Sequence, residues 1–177
     1  MNMLYERRIS SPVGDLHVVA AEEAIVGVYL PGHKGAPEIV AHDGQNHPVL
    51  AEAAGQLAEY FRGGRACFTL PLDLHGSSFQ REVWRALVEI PFGETRSYAE
   101  LARALGRPQA ARAVGAANAK NPISIIVPCH RVIAGDGALT GYAGGVAAKQ
   151  WLLSHEQEHH VEYRGEGLVR ARGHDPD

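Results

Sequence analysis

The chain has 177 residues, 45% hydrophobic and 21% charged, with a formal net charge of -3 and two cysteines. That size and mix fit one ordinary soluble domain or two small ones sharing an interface, and argue against global disorder. Two thiols exclude a disulfide framework or a four-cysteine zinc site and point to a reducing, cytoplasmic setting.

The net charge disfavours a nucleic-acid partner, but it averages over a gradient: residues 1–75 carry -4, residues 79–131 carry +4 and residues 132–177 carry -3. The basic middle readmits such a partner. Fourteen of the seventeen basic residues are arginines, which suit forked contacts to phosphate or carboxylate. The opening MNMLYERRISSPVG lacks the apolar core of a signal peptide, and no apolar run reaches about 18 residues, so neither secretion nor membrane insertion is expected.

In chain order, residues 3–30 predict antiparallel strands, LYERRI, LHVVAA and AIVGVYL, with SSPVGD as a turn. Residues 31–47 read as a loop. From Pro48 the spacing of Val49, Ala53, Leu57 and Tyr60 or Phe61 predicts a helix that stops at Gly63 and Gly64. ACFTLPLDL predicts a strand with Cys67 inside it as a small buried hydrophobe. HGSS at 75–78 is a boundary. Beyond it a Ser-capped helix carries Phe79, Val83, Leu87 and Ile90 on one face and ends near Pro91 and Gly93. Two short helices follow. The first is capped by Ser97 and ends at Gly106; the second has Pro108 in its first turn and stops before Asn121 and Pro122. IIVP predicts a strand leading to Cys129, DGALTGYAGG a hairpin-like loop around Tyr142, and VAAKQWLLSHE a helix before a polar tail.

Three patterns carry chemistry. Helix, Gly-containing turn and helix admit DNA binding, and the second helix is nearly all Ala and Gly with Arg112 as its one large residue. Such a helix can approach a groove closely and project its arginine into a base stack or onto phosphate. The alternative is a packed internal helix with Arg112 in a surface ion pair. Second, PCHR places Cys129 beside His130 and Arg131. A thiol reacts as thiolate and needs a base or a positive field nearby. Adjacent side chains of an extended segment point apart, so His130 would meet Cys129 only at a turn, which Pro128 suggests, or through a water. The histidine also needs an orienting carboxylate, for which Glu156 is the candidate. Third, HEQEH from His155 to His159 fits the helical zinc pattern H-E-x-x-H, with the same Glu156 as base. A zinc hydrolase needs a third ligand and a cleft, and only 18 residues follow, among them His160 and His174. The other reading is a helix end with histidines near its C-terminal dipole.

PCHRVI, together with SSFQREVWRAL, IPFGETRSYAELA, AARAVGAANAKNPISIIVPCHRV, GYAGG and WLLSHE in this order, resembles the O6-alkylguanine-DNA alkyltransferases. The resemblance is specific over about residues 77–156. It implies an α+β fold: a small ribonuclease H-like antiparallel sheet domain (1–76), a helical domain with helix-turn-helix and wing (77–157), and a tail (158–177).

Carried over residue by residue, it implies that Cys129 accepts the alkyl group, His130 is the base acting through a water, and Glu156 orients it. Asn121 braces the active-site turn, and Tyr98 donates toward guanine N3 and crowds the flipped nucleotide's phosphate. Arg112 fills the vacated stack, and Ala110, Ala111, Ala113, Gly115 and Gln80 join it and Tyr98 on the DNA. The base pocket comprises Val132, Tyr142, Ala143, Ser124 and Thr140. In it the carbonyls of Cys129 and Val132 accept from the guanine amine, and the Ala143 amide donates toward O6. The implied partner is double-stranded DNA carrying O6-alkylguanine, and O4-methylthymine is a second lesion. Transfer occurs once per molecule, by a monomer, with no metal or organic cofactor. Some relatives have proline and glycine where Ser124 and Thr140 stand here, and both changes narrow the pocket. Relatives that only bind lesions have tryptophan for the cysteine, and Cys129 argues against that class.

Overall fold

The computed structural model describes residues 3–139 and 141–164; Thr140 and the tail beyond Arg164 lie outside the described residues. Three strands, β1 (Tyr5–Ile9), β2 (Leu16–Ala20) and β3 (Ile25–Tyr29), form an antiparallel meander, and the two-residue β4 (His42–Asp43) joins β1 in parallel from within the predicted loop. The β-branched alternation lays Leu16, Val18, Ala20, Ile25 and Val28 into one core. Helix α1 (Pro48–Phe61) has proline in its first turn and covers that face with Leu50, Ala53, Leu57 and Tyr60.

Residues 66–74 are not the predicted strand. They run beside β3 through one bridge, with the Ile25 amide donating to the Pro71 carbonyl and the Asp73 amide to the Ile25 carbonyl. Cys67 is exposed, not buried. Pro71 and the lone bridge explain the difference, because a segment without a continuous ladder has no fixed inward face.

Helix α2 (Ser78–Val88) opens with a capping box between Ser77 and Gln80, and α3 (Tyr98–Ala104) with one between Ser97 and Glu100. A two-residue β5 (Arg96–Ser97) pairs in parallel with β6 (Val132–Ile133). Helix α4 (Ala111–Ala119) starts later than predicted: Pro108 lies in a turn closed by the Ala110 amide on the Arg107 carbonyl, and Ala110 is the N-cap. The Trp84 indole donates to the Ala117 carbonyl at 2.8 Å and so ties α2 to α4.

The last helix, α5 (Val146–Arg164), runs well past residue 157, where the tail was expected to begin. Trp151 and His155 pack it against Phe61 and Tyr60 of α1, so α5 is shared by the sheet and the helical half. No helix among the described residues is long and apolar enough to cross a membrane.

Candidate active site

Cys129 is delivered by turns, not by the predicted strand. The Ile126 amide donates to the Ser124 carbonyl at 2.8 Å around Ile125, whose φ of 73° makes this the rare left-handed γ-turn. The Cys129 amide then donates to the Val127 carbonyl at 2.8 Å around Pro128 (φ -81°, ψ 65°), the common inverse γ-turn, for which proline is preset. A β-branched residue at positive φ is strained and persists only where its surroundings over-determine it. Asn121 does this work. Its Nδ2 donates to the Val127 carbonyl at 2.8 Å and its Oδ1 accepts from the Ile123 amide at 3.0 Å, clamping both ends of the first turn.

A 3-10 turn, Cys129–Arg131, then sends the three side chains in different directions. His130 is fully buried, and its Nε2 donates to Glu156 Oε2 at 2.7 Å. That leaves Nδ1 as the basic nitrogen, and it has no hydrogen-bond partner among the described residues. Glu156 Oε2 also accepts from the Tyr60 hydroxyl (2.7 Å) and Arg131 Nη2 (3.0 Å), while Oε1 accepts from Arg131 Nε (2.8 Å) and the Gly93 amide (3.2 Å). Gly93 has φ +82°, and a Cβ there would run into the His160 ring.

Burial alone would raise the Glu156 carboxyl. His130 and Arg131 overcome it and hold the group well below the carboxylate range. Burial pushes His130 down, against the pull of Glu156 and with help from Arg131 and Lys149, so the ring rests neutral. Burial likewise pushes the Cys129 thiol up, while Asn121, Lys149 and Ser124 draw it partly back. The resting pair is therefore a thiol beside a neutral base.

Tyr98 stands at the first position of α3, and a Cβ added at Gly115 of α4 or at Gly141 of the later loop would lie 3.7 Å from its ring or 3.6 Å from its hydroxyl. Burial and Cys129 both raise its phenol, which keeps it a donor. Tyr142 and Ser124 are buried beside the thiol, and Tyr142 is likewise held protonated by burial and Cys129. The Val132 carbonyl accepts from the buried Lys149 Nζ at 2.7 Å. Ala143 accepts at its carbonyl from the Lys34 amide at 2.9 Å, which ties the loop to the sheet half.

On α4, Arg112 and Ala113 are exposed, and Ala110 and Ala111 are half-buried. No ion pair holds Arg112 among the described residues, so the surface-pair alternative fails. Gln80 spends its carbonyl oxygen on the Ser77 amide. The zinc pattern comes apart: Glu156 is saturated by five donors, and His155 Nε2 donates to the Tyr60 carbonyl at 2.7 Å. Its ring stacks on Trp151.

Three participants escaped the sequence reading. Tyr60 and Lys149 look like ordinary members of helical stripes, and Asn118 reaches the Cys129 carbonyl from α4 at 3.4 Å. For Lys149 a signal existed, since a lysine on an otherwise apolar stripe predicts a buried partner.

Two family models match the chain: 6-O-methylguanine DNA methyltransferase, ribonuclease-like domain, over residues 4–74, and the DNA binding domain of the same proteins over residues 78–158. The methylated-DNA--protein-cysteine methyltransferase of Mycolicibacterium paratuberculosis is 46% identical over 157 residues, spanning 89% of this chain and 94% of the relative. That of Methanosarcina barkeri is 47% identical over 155 residues, spanning 87% and 98%. A Mycobacterium tuberculosis protein crystallised in complex with DNA superposes with a TM-score of 0.81 at 43% identity, over 88% of this chain and 94% of that one. With both halves matched, and the residue after Cys129 an imidazole held on a buried carboxylate, the chain belongs to the 6-O-methylguanine DNA methyltransferase family.

Proposed function

We propose that this protein repairs duplex DNA by transferring the alkyl group of O6-alkylguanine, and of O4-methylthymine, irreversibly to Cys129, once per molecule. The observation that carries the reading is a neutral buried histidine, oriented by an ionised carboxylate, next to a thiol held at a doubly turned backbone.

An alkylated base cannot react inside the stack, so it is flipped into the pocket between Tyr98, Ser124, Tyr142 and Val132. Arg112, exposed on a helix of small residues, takes its place, while the start of α4, which no side chain caps, turns the amide of Ala111 toward phosphate beside Ala110. Ala113, Gly115 and Gln80 complete the face turned to the duplex. His130 Nδ1 takes the Cys129 proton through a water. The sulfur then forms a bond to the alkyl carbon as the carbon–O6 bond breaks, and the electron pair passes into guanine. Tyr98 donates toward N3, meeting the charge that develops there, and the Ala143 amide donates toward O6. The thioether has no leaving group for return, which makes the transfer single-use. The chemistry calls on no metal or organic cofactor. The sheet half (1–76) and helical half (77–157) act as one cytoplasmic monomer.

Incubation with duplex containing O6-methylguanine is expected to add one methylene unit to the Cys129 peptide, with or without chelator. Retained binding with no mass gain would make the protein a lesion-binding module, and hydrolysis lost to chelator would restore the zinc reading. Because the fully buried Ser124 fills part of the pocket wall, alkylation by O6-benzylguanine is expected to be slower than by the methylated duplex. Equal rates in a thiol-alkylation time course would contradict this.

A further inference from the structure

Glu156 receives more hydrogen bonds than it needs. A carboxylate offers about four lone-pair sites, and Arg131, Gly93 and His130 already supply four donors before the Tyr60 hydroxyl adds a fifth at 2.7 Å. Tyr60 is fully buried, and its ring is boxed by Phe61, Phe68, Phe92 and His155 at centroid distances of 5.2–6.1 Å. Phenylalanine would satisfy that packing. The hydroxyl instead lands on the same oxygen, Oε2, that holds His130 Nε2. The Tyr60 carbonyl also accepts from His155, so one residue of α1 grips two consecutive residues of α5.

We propose that Tyr60, supplied by the N-terminal half, is a positioning residue of the transfer reaction: its hydroxyl fixes the Glu156 oxygen that orients His130 and draws off part of that oxygen's charge. The active site is thus shared between the two halves of the chain. This rests on the transfer reading above.

The consequence is a sign. A donor on Oε2 weakens the pull of Glu156 on the imidazolium and so keeps His130 neutral to lower pH. The groups facing this pair are Tyr60 from α1, His130 and Arg131 from the 3-10 turn, Tyr142 from the loop, and Lys149 and His155 from α5. Tyr60→Phe removes only the hydroxyl contact on Oε2, the oxygen that His130 shares, so the shift is read at His130.

The test is the pH dependence of the single-turnover transfer rate, with the His130 ring nitrogens followed by NMR in the full chain without DNA. Tyr60→Phe is expected to move the acidic limb and the ring titration up together by about half a pH unit, roughly a threefold slower transfer on the acidic side. Fluorotyrosine installed at position 60 keeps the packing and donates more strongly, so it is expected to move both down, which keeps the test open if the phenylalanine variant fails to fold. Phe68→Leu, which loosens the same ring box without touching Glu156, is expected to move neither. The proposal is overturned if both Tyr60 changes leave the ring titration in place, or if Phe68→Leu shifts it equally. Failure of the wild-type chain to methylate Cys129 would sink the transfer reading alone, because the ring titration is read without DNA.

Discussion

Cys129→Ala is expected to abolish transfer to the protein while leaving the fold and the affinity for duplex DNA in place. The side chain is buried, but it is small and sits at the end of a turn whose hydrogen bonds are made by backbone and by Asn121, none of which the substitution removes. The stability cost should therefore stay near the typical 1 kcal/mol of a point change. The rate loss should be complete, since the other reactive-type side chains of the pocket, Ser124, Tyr98 and Tyr142, are hydroxyls, far weaker nucleophiles than a thiolate. The second thiol, Cys67, borders a small cavity of about 150 Å³ behind the active-site turn, together with Pro128 and Arg131. It is exposed, on the sheet half and outside the turn that carries His130. Peptide mass analysis after exposure to methylated duplex checks both sulfurs at once. A methyl group on Cys67, or on any other residue of the variant, would contradict the assignment of the nucleophile.

Glu156→Gln carries the second large effect, and it falls on stability as well as rate. The carboxylate is 1% exposed and is the counter-charge of Arg131, which is itself buried. Removing one member of a buried ion pair leaves the other uncompensated, at a cost of about 3–5 kcal/mol. That is a large share of the roughly 5–15 kcal/mol that holds a domain together. The amide also presents two hydrogens to a ring of donors, so His130 loses its orientation. The measurement is the urea midpoint at neutral pH: a variant within about 1 kcal/mol of wild type would refute the electrostatic account.

The same pair sets the acid sensitivity of the wild-type chain. Glu156 titrates lower in the folded state than in the unfolded chain, so its contribution is complete above about pH 5 and is lost as pH falls toward the folded value. His130 is also held down, and the unfolded chain takes a proton from about pH 6.5 that the buried ring refuses, which lowers stability from that pH downward. Glu156→Gln deletes the lower of these two slopes.

How far the sequence could be read depended on range. The strands of residues 3–30, the helix from Pro48 and the two serine caps were legible because periodicity and caps are local, and both capping boxes stand where Ser77 and Ser97 predict them. IIVP misled because four apolar residues before a cysteine satisfy a strand pattern equally well. Only the clamp from Asn121 shows that the chain doubles back there. Cys67 misled for a similar reason, since a hydrophobic stretch without a ladder has no defined inside. Cys129, His130 and Glu156 were candidates on the chemistry of a thiol, its base and an orienting carboxylate, while their roles, and Asn121 itself, came through the resemblance. Tyr60 was not, because its role is a contact to a residue 96 positions away that no local pattern encodes.

That separation also orders events in time. A ribosome makes Tyr60 first, then Cys129, and Glu156 only near the end, so the emerging chain holds its thiol and imidazole for many residues before the carboxylate can close on them. Until α5 docks, His130 has no carboxylate to fix which of its nitrogens carries the proton. The thiol of the growing polypeptide therefore waits without an oriented base until α5 packs onto α1.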